Sequence, residues 1–331
     1  MDIVDNCTLT FTGIQKQGSV TINLCSHYTL IIGENSGEGK SHFFNFLERR
    51  FRNSSISITN SMGYSILFAT TSSALDGFLK IPQRCIIFVD EILLSQGSGY
   101  VASLNVSNHL FIVVARNSAF NISAPMNGIY EVKRWIDGGT LFFDLIQVKS
   151  LRLYSGNKIV DFDFIVTESR DGRSEHQLLS EYLDKDIIIA AYGNTRIYKK
   201  LTSKVKSGVV LVLMDLSNMS GFYSKLRNLC EKRKDLYFYD YNCFEELLYK
   251  SRIIPKNVDV GSVFDYLTVE RYYEALLMES TSGTDLCVKH GQKLPAIYLD
   301  KSNFDAIFNT DIGKGLYILI KNSGDSNVPD V

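Results

Sequence analysis

Short hydrophobic runs recur along the chain, and polar or helically spaced segments separate them. In the first half such runs cover residues 28–32, 64–69, 85–89, 110–114 and 128–132. Runs of this length are typical of strands buried on both faces of a sheet. Helically spaced segments lie between them at residues 41–51, 72–79 and 100–105. Strands that alternate with helices in this way predict an α/β fold with a mostly parallel sheet.

The first 24 residues follow a different pattern, in which apolar and polar positions alternate. Residues 9–11 and 20–24 flank Gly13 and Gly18, and glycines suit the turn of a hairpin. The sequence therefore predicts an N-terminal β-hairpin ahead of the parallel sheet.

A second series of strands and helices follows a polar gap at residues 154–158. The pattern predicts strands at 162–166, 186–191, 209–214 and 236–239, and helices at 174–183, 195–205, 222–234 and 244–249. A helical C-terminal extension is expected around 263–277, followed by irregular chain. We therefore divide the sequence into two α/β domains, residues 1–155 and 156–331.

Composition narrows the class of protein. The chain has 331 residues, of which 45% are hydrophobic, and a net charge of −1, which excludes a disordered chain and a uniformly basic coat protein. Six cysteines form no C-x-x-C pair and five histidines are dispersed, so neither a zinc site nor a disulfide framework is expected. Because no apolar run approaches a membrane span and the N-terminus lacks signal-peptide features, we expect a cytoplasmic protein without membrane contact.

The run at 28–32 leads into a glycine-rich segment that precedes a helix: Gly33-Glu34-Asn35-Ser36-Gly37-Glu38-Gly39-Lys40-Ser41. Glycines let backbone N–H groups line a concavity for phosphate, and the helix N-terminus adds positive potential. In such loops the lysine reaches the outer phosphates and the serine hydroxyl ligates Mg²⁺. The predicted nucleotide-binding residues are Gly33, Asn35, Gly37, Glu38, Gly39, Lys40, Ser41 and His42.

This segment resembles the G-E-N-G-x-G-K-S loop (Walker A) of ABC-type and related P-loop ATPases, with one residue inserted near Ser36. The glycine expected six residues before Lys40 is Glu34 here. The insertion leaves two interpretations open, a bulged loop that binds ATP and a loop of weak affinity. The resemblance implies ATP and Mg²⁺ as cofactors, and a homo-oligomer or a partner protein that completes the site.

The run at 85–89 ends in Asp90 and Glu91, 50 residues after Lys40, and resembles a Walker B motif. That resemblance implies that Asp90 helps Ser41 to hold Mg²⁺ and that Glu91 orients or deprotonates the attacking water. Arg116 and Asn117 follow the next strand. Either would be a sensor of the γ-phosphate by the same resemblance, and an ordinary loop position is the alternative.

Carboxylates follow three predicted strands of the second domain. They are Glu168, Asp215 and Asp240, with Glu245 and Glu246 shortly after. Because the carboxyl ends of parallel strands meet at one edge of an open sheet, these groups are expected to converge. A convergent set of carboxylates can hold Mg²⁺.

The order of a strand-end glutamate and a strand-end aspartate resembles TOPRIM-type domains, especially those of OLD-family and anti-phage ATPase-nuclease proteins. The resemblance implies that Glu168 and Asp215 are catalytic and that the context is anti-phage defence. Two positions depart from it, because Ser217 replaces a second aspartate and Ser169 replaces a glycine. The alternative is an inactive second domain that serves binding or assembly.

Ten basic residues and only two acidic ones lie between Arg196 and Lys234. A positive surface there could follow the phosphates of a nucleic acid, and a solvated helix face is the alternative. Tyr237, Tyr239 and Tyr241 alternate along a strand, where packing in the core is favoured over base stacking.

Two functions are consistent with these patterns. One is an ATPase whose nucleotide state regulates a nuclease domain. The other is a nucleotide-dependent binding or signalling module whose second domain has no catalytic activity.

Overall fold

The structure is a computed structural model that describes residues 7–33, 40–95, 99–116, 122, 124–148, 151–219, 223–254, 257–282 and 303–322. The side chains of Lys40, Ser41, Arg116, Ser224 and Asn322 are outside this description. The strands are β1 Cys7–Thr12, β2 Ser19–Leu24, β3 Tyr28–Gly33, β4 Ser57–Asn60, β5 Ser65–Ala69, β6 Cys85–Asp90, β7 Leu110–Arg116, β8 Ile129–Asp137, β9 Thr140–Gln147, β10 Leu153–Tyr154, β11 Phe164–Thr167, β12 Ile188–Ala190, β13 Val210–Leu213 and β14 Leu236–Tyr239. The helices are α1 Lys40–Arg52, α2 Ser72–Phe78, α3 Glu91–Ser95, α4 Tyr100–Asn105, α5 Ser174–Ser180, α6 Asn194–Ser203, α7 Tyr223–Lys232, α8 Phe244–Lys250, α9 Val269–Thr281, α10 Phe304–Phe308 and α11 Gly313–Asn322. None of these helices combines the length and the apolar character that a membrane crossing requires.

The chain separates into two compact units, and neither is one continuous stretch. The first unit comprises the described residues of Met1–Val148, Asn218–Gly221 and Gly261–Val269. The second comprises the described residues of Lys149–Ser217, Phe222–Val260 and Glu270–Val331. The sequence places a boundary at residue 155, whereas β10 already pairs with β14 of the second unit.

The main sheet of the first unit has the strand order β5-β6-β7-β3-β8-β9. All its neighbouring strands are parallel except the β8–β9 pair, which is antiparallel. The strands β6 and β7 are apolar along almost their whole length because both of their faces are buried. The α/β class predicted from the sequence is confirmed.

A small antiparallel sheet with the order β2-β1-β4 accompanies the main sheet. Strands β1 and β2 form the predicted hairpin, with Gly13 and Gly18 at φ of +88° and +81°. Aromatic rings pack between the two sheets. Phe88 of β6 lies 4.6 Å from Phe68 of β5 and 6.2 Å from Phe11 of β1, measured between ring centroids. The strand β4 was not predicted, since its polar sequence, Ser-Ile-Thr-Asn, carries a single apolar residue.

The second unit contains an all-parallel sheet with the order β10-β14-β13-β11-β12. Ile165, Leu211 and Leu213 share one face, and α5, α8, α10 and α11 pack their apolar residues there. The crossovers into and out of β13 run through α6 and α7, which the right-handed rule for parallel strands places on the opposite face. Both faces of the sheet are therefore covered by helices.

The expectation of irregular chain beyond residue 277 is wrong for part of that stretch. Helix α10 buries Phe304, Ile307 and Phe308 at helical spacing, and α11 buries Leu316 and Ile320. Helices α10 and α11 have only 5 and 10 residues, so the sequence shows few helical repeats from which to identify them. The expected helix at 263–277 starts late, because a one-turn 3-10 segment at Val263–Asp265 precedes α9.

Candidate functional site

The first candidate site is the carboxyl edge of the main sheet in the first unit. Strand β3 ends at Gly33, which is level with Arg116 at the end of β7. On the other side of β7, Asp90 at the end of β6 is level with Val114. Gly33 and Asp90 therefore end strands that are two apart, at a lateral separation of roughly 10 Å. The predicted phosphate loop and the predicted Walker B carboxylate begin at the same edge of one parallel sheet.

Asp90 connects strand β6 to helix α3. Its side chain is half-buried, and Oδ1 accepts a hydrogen bond from the backbone N–H of Ile92 at 2.9 Å. This bond satisfies a backbone N–H at the start of α3, of which Glu91 is the first residue. The motif thus has a local structural role as well as the predicted chemical one.

Several residues predicted to bind the nucleotide cannot be placed. Asn35, Gly37, Glu38 and Gly39 lie outside the described residues, as do Asn117 and the side chains of Lys40, Ser41 and Arg116. The backbone of Lys40 begins α1 directly after that segment, as the sequence predicts. His42 is exposed on α1, while the adjacent Phe43 and Phe44 are buried in the core.

The second candidate site lies at the carboxyl edge of the parallel sheet in the second unit. Glu168 and Asp215 follow the neighbouring strands β11 and β13, and the backbone N–H of Asp215 donates to Oε2 of Glu168 at 2.8 Å. Ser217 donates to Oδ1 of Asp215 with its backbone N–H at 2.7 Å and with its hydroxyl at 2.5 Å. The structure therefore brings together the two carboxylates that the sequence singled out.

Three further carboxylates are coupled electrostatically to this pair or to one another. Besides burial, the charges of Glu175 of α5 and Glu270 of α9 raise the pKa of Glu168, and the charge of Glu270 raises that of Asp215. The charges of Glu270 and Glu175 likewise raise the pKa of Glu245 of α8. We call Glu168, Glu175, Asp215, Glu245 and Glu270 the acid cluster. The phenol of Tyr241 donates to Oε1 of Glu175 at 2.8 Å.

Burial is the main reason that Glu168, Asp215 and Glu245 have raised pKa values. It raises the pKa of Glu168 to about 7, and the pKa of Glu245 to about 8, with the charge of Glu270 adding to the second effect. The pKa of Asp215 is raised well above its usual value by burial and then by the charge of Glu270, although the hydrogen bonds from Ser217 oppose the shift. Near neutral pH the cluster therefore holds protons that isolated carboxylates would release.

The acid cluster does not have the geometry of a metal centre. Among the described residues, no group of three or more His, Cys, Asp or Glu side chains is arranged to hold a metal ion. Oxygens of Glu168 and Asp215 instead accept hydrogen bonds from the chain's own N–H and O–H groups. Among the described residues, this edge therefore holds no site of three metal ligands, and one oxygen of each of the two carboxylates is already engaged by the chain.

Other predicted acidic positions divide into exposed and structural ones. Asp240 is exposed, whereas Glu246 is buried and accepts hydrogen bonds from Lys250 at 2.7 Å, Asn242 at 2.8 Å and Tyr273 at 3.1 Å. These donors lie just before α8, on α8 and on α9, so Glu246 stabilises the packing around α8.

Sequence reasoning missed Glu175 and Glu270, although their spacing carries a signal. Glu175 lies three and four residues before the buried Leu178 and Leu179, on the apolar stripe of α5. Glu270 stands three residues before the buried Tyr273 on α9. An acid on the apolar stripe of a helix is forced to the core side, which is a readable sign of a special environment.

The basic stretch separates into exposed and internally bonded side chains. Arg233 is half-buried and donates to the backbone carbonyls of Leu201, Val205 and Gly208 and to Asp235. Exposed positions are Arg196, Lys199, Lys204, Lys206, Lys225, Lys232 and Lys234. Core packing is confirmed for the tyrosines at 239 and 241, which are 1% and 5% exposed.

No protein-family model, curated protein or solved structure matches this chain. The functional interpretation therefore depends on the geometry of the two sheet edges.

Proposed function

We propose that the first unit binds Mg·ATP at the carboxyl edge of its main sheet and that the nucleotide state regulates the second unit. The observation that carries the proposal is the placement of Gly33 and Asp90 at the ends of two parallel strands separated only by β7. Parallel α/β sheets bind ligands outside the carboxyl ends of their strands. The glycine-rich segment and the Asp-Glu pair thus begin where a nucleotide would be held.

Each residue has a role in this proposal. Lys40 contacts the outer phosphates, and backbone N–H groups from Gly37 to Lys40 line the phosphate concavity. The hydroxyl of Ser41 and the carboxylate of Asp90 are oxygen donors of the kind that Mg²⁺ prefers, and the ion would neutralise phosphate charge. Glu91, at the start of α3, orients the attacking water.

For the second unit we favour nucleic-acid binding without metal-dependent cleavage. The specific observation is that Ser217 stands where a TOPRIM-type site has its second aspartate and donates to Asp215 through two hydrogen bonds. The exposed cations of α6 and α7 supply the positive surface that phosphates require. An ATP-regulated nuclease is the second candidate, because Glu168 and Asp215 do lie together at one strand edge.

Titration of a fluorescent ATP analogue tests the first unit. Lys40→Ala should weaken binding at least about tenfold, since it removes the cation on the outer phosphates. Lys80→Ala, an exposed lysine after α2, is the matched control and should bind as the wild type does. Equal affinities of wild type and Lys40→Ala would overturn the assignment.

A cleavage assay tests the second unit. Wild-type protein with ATP and either Mg²⁺ or Mn²⁺ should leave single-stranded and plasmid DNA intact. Cleavage that both Glu168→Ala and Asp215→Ala abolish would instead establish the nuclease candidate. Circular dichroism of both variants checks that they are folded.

A further inference from the structure

Tyr192 combines a strained backbone with an exposed ring. It follows β12, lies between the fully buried Ala191 and the half-buried Gly193, and is 42% exposed. Its φ of +66° lies in the left-handed region, which bulky side chains rarely adopt. Strained residues of this kind persist where the surrounding structure enforces them, and they concentrate at functional sites. Packing does not account for the strain, because much of the ring faces solvent.

Hydrogen bonds fix both the backbone and the side chain of Tyr192. Its backbone N–H donates to the carbonyl of Ser169 at 3.4 Å, and the N–H of Gly193 donates to the carbonyl of Glu168 at 2.8 Å. The phenol donates to a carboxylate oxygen of Asp171. The ammonium of Lys200 lies 5.8 Å from the ring centroid. An aromatic ring held in this way is oriented before any ligand arrives, which reduces the entropy lost on binding.

Two cations, Arg170 and Lys200, are near the Tyr192 side chain, and two more follow it on α6. Arg170 is exposed and close enough for its charge to act on the Tyr192 hydroxyl. Arg196 and Lys199 are exposed on α6, which carries no acidic residue. The carboxylate of Asp171 also lies at the ring, where it accepts the hydrogen bond from the phenol. A rigid, exposed aromatic among cations is the arrangement with which proteins bind unpaired nucleotides.

We infer that Tyr192 stacks on an unpaired base of a single-stranded nucleic acid, while Arg170, Arg196 and Lys199 contact the flanking phosphates. This inference rests on the nucleic-acid role proposed for the second unit and is independent of ATP binding and of cleavage. Since the carbonyl of Glu168 accepts the Gly193 N–H, the stacked base would lie beside the strand end that carries the acid cluster.

Fluorescence anisotropy with labelled 20-nucleotide DNA and RNA strands of one sequence, and with the corresponding DNA duplex, tests the stacking. Tyr192→Asn is the informative variant, because asparagine tolerates the left-handed backbone and lacks the ring. It should bind the preferred single strand roughly tenfold more weakly, which is the usual loss when a stacking aromatic is removed. Tyr192→Phe keeps the ring and should bind within about twofold of the wild type.

Charge variants provide the second arm. Arg170→Ala and Arg196→Ala should each weaken binding and lower the slope of log affinity against log salt by roughly 0.7, the value for one phosphate contact on a single strand. Lys314→Ala, an exposed lysine on α11, is the control and should change neither quantity.

A cross-linking experiment locates the base directly. Strands that contain 5-iodouracil should form a photo-adduct on the tryptic peptide that includes Tyr192, and Tyr192→Asn should lose it. If wild type and Tyr192→Asn bind and cross-link alike, the stacking inference is wrong although nucleic-acid binding stands. If the wild type binds no nucleic acid, both the inference and the proposed role of the second unit fail.

Discussion

The two units bury titratable groups of opposite kind at opposite ends of their parallel strands. In the first unit His27 and His109, 3% and 0% exposed, come just before β3 and β7. In the second unit Glu168 and Asp215 come just after β11 and β13. Burial lowers the pKa of His27 to about 4, and it raises the pKa of Glu168 to about 7.

This difference distinguishes the histidines, whose burial serves the fold, from the carboxylates, which are buried at a candidate site. A neutral imidazole costs little to bury, and Nε2 of His27 donates to the carbonyl of Leu104 at 2.8 Å. Nδ1 of His109 accepts the backbone N–H of Cys85 at 3.2 Å. Carboxylates are costly to bury near neutral pH, and Glu168 and Asp215 lie at the edge at which parallel sheets bind ligands, with the buried Glu175 acting on Glu168. The acid cluster therefore needs a functional explanation, and the histidines do not.

The largest expected effect comes from matched glycine substitutions in the two units. A Cβ on Gly313 would lie 1.9 Å from the carbonyl oxygen of Ile307, so Gly313→Ala should destabilise the second unit by about 4 kcal/mol or more. Gly77→Ala in α2 meets nothing within 4 Å and should stabilise the first unit by about 0.5–1 kcal/mol. Chemical denaturation measures both. A mild effect of Gly313→Ala would contradict the packing between α10 and α11.

The next effect is an opposite response of the two units to pH. His27 is held neutral when folded, so its contribution to the first unit is present above pH 6.5 and is lost as the pH falls towards about 4. Glu168 and Glu245 contribute fully below pH 4.5 and lose this stability as the pH rises through about 7 and 8. For each of these groups the free energy of unfolding changes by roughly 3–5 kcal/mol across its pH range.

Hydrogen exchange read by peptide, with intrinsic rates corrected for pH, distinguishes these responses. Acid should increase exchange in β3 and β7, and alkali should increase it in β11 and β13. Glu245→Gln should flatten the alkaline response of the second unit and leave the acid response of the first unit unchanged. If both units respond with the same sign, the contrast between their buried groups is wrong.

The smallest expected effects on stability distinguish the internally bonded side chains of the basic stretch from the exposed ones. Arg233→Ala should destabilise the second unit by about 2 kcal/mol, because it leaves buried carbonyls without their donor. Lys234→Ala, at the exposed neighbouring position, should change the free energy of unfolding by less than about 0.5 kcal/mol. Thermal denaturation of the two variants compares them directly. Similar losses would contradict the distinction between bonded and exposed cations.

Patterns that are local in sequence predicted the fold well. The apolar runs that became β3, β6 and β7 could be identified because both faces of these strands are buried. The meeting of Glu168 with Asp215 followed from the geometry of parallel strands. The acid cluster could not be predicted as a whole, because Glu175 and Glu270 reach it from two further helices, α5 and α9. Such convergence depends on tertiary packing, to which local spacing is blind.

The discontinuity of the first unit has a consequence for its synthesis. Its last segment, Gly261–Val269, ends about 120 residues after Val148, and all five strands of the second unit's parallel sheet are encoded between them. At about 5–20 residues per second the ribosome needs roughly 6–24 s to make that stretch. During this interval the nascent first unit lacks the carboxylate of Asp265, which pairs with Arg84, and the N–H of Met219, which donates to the carbonyl of Ala124. We therefore expect the first unit to reach its full stability only when the chain has grown past Val269.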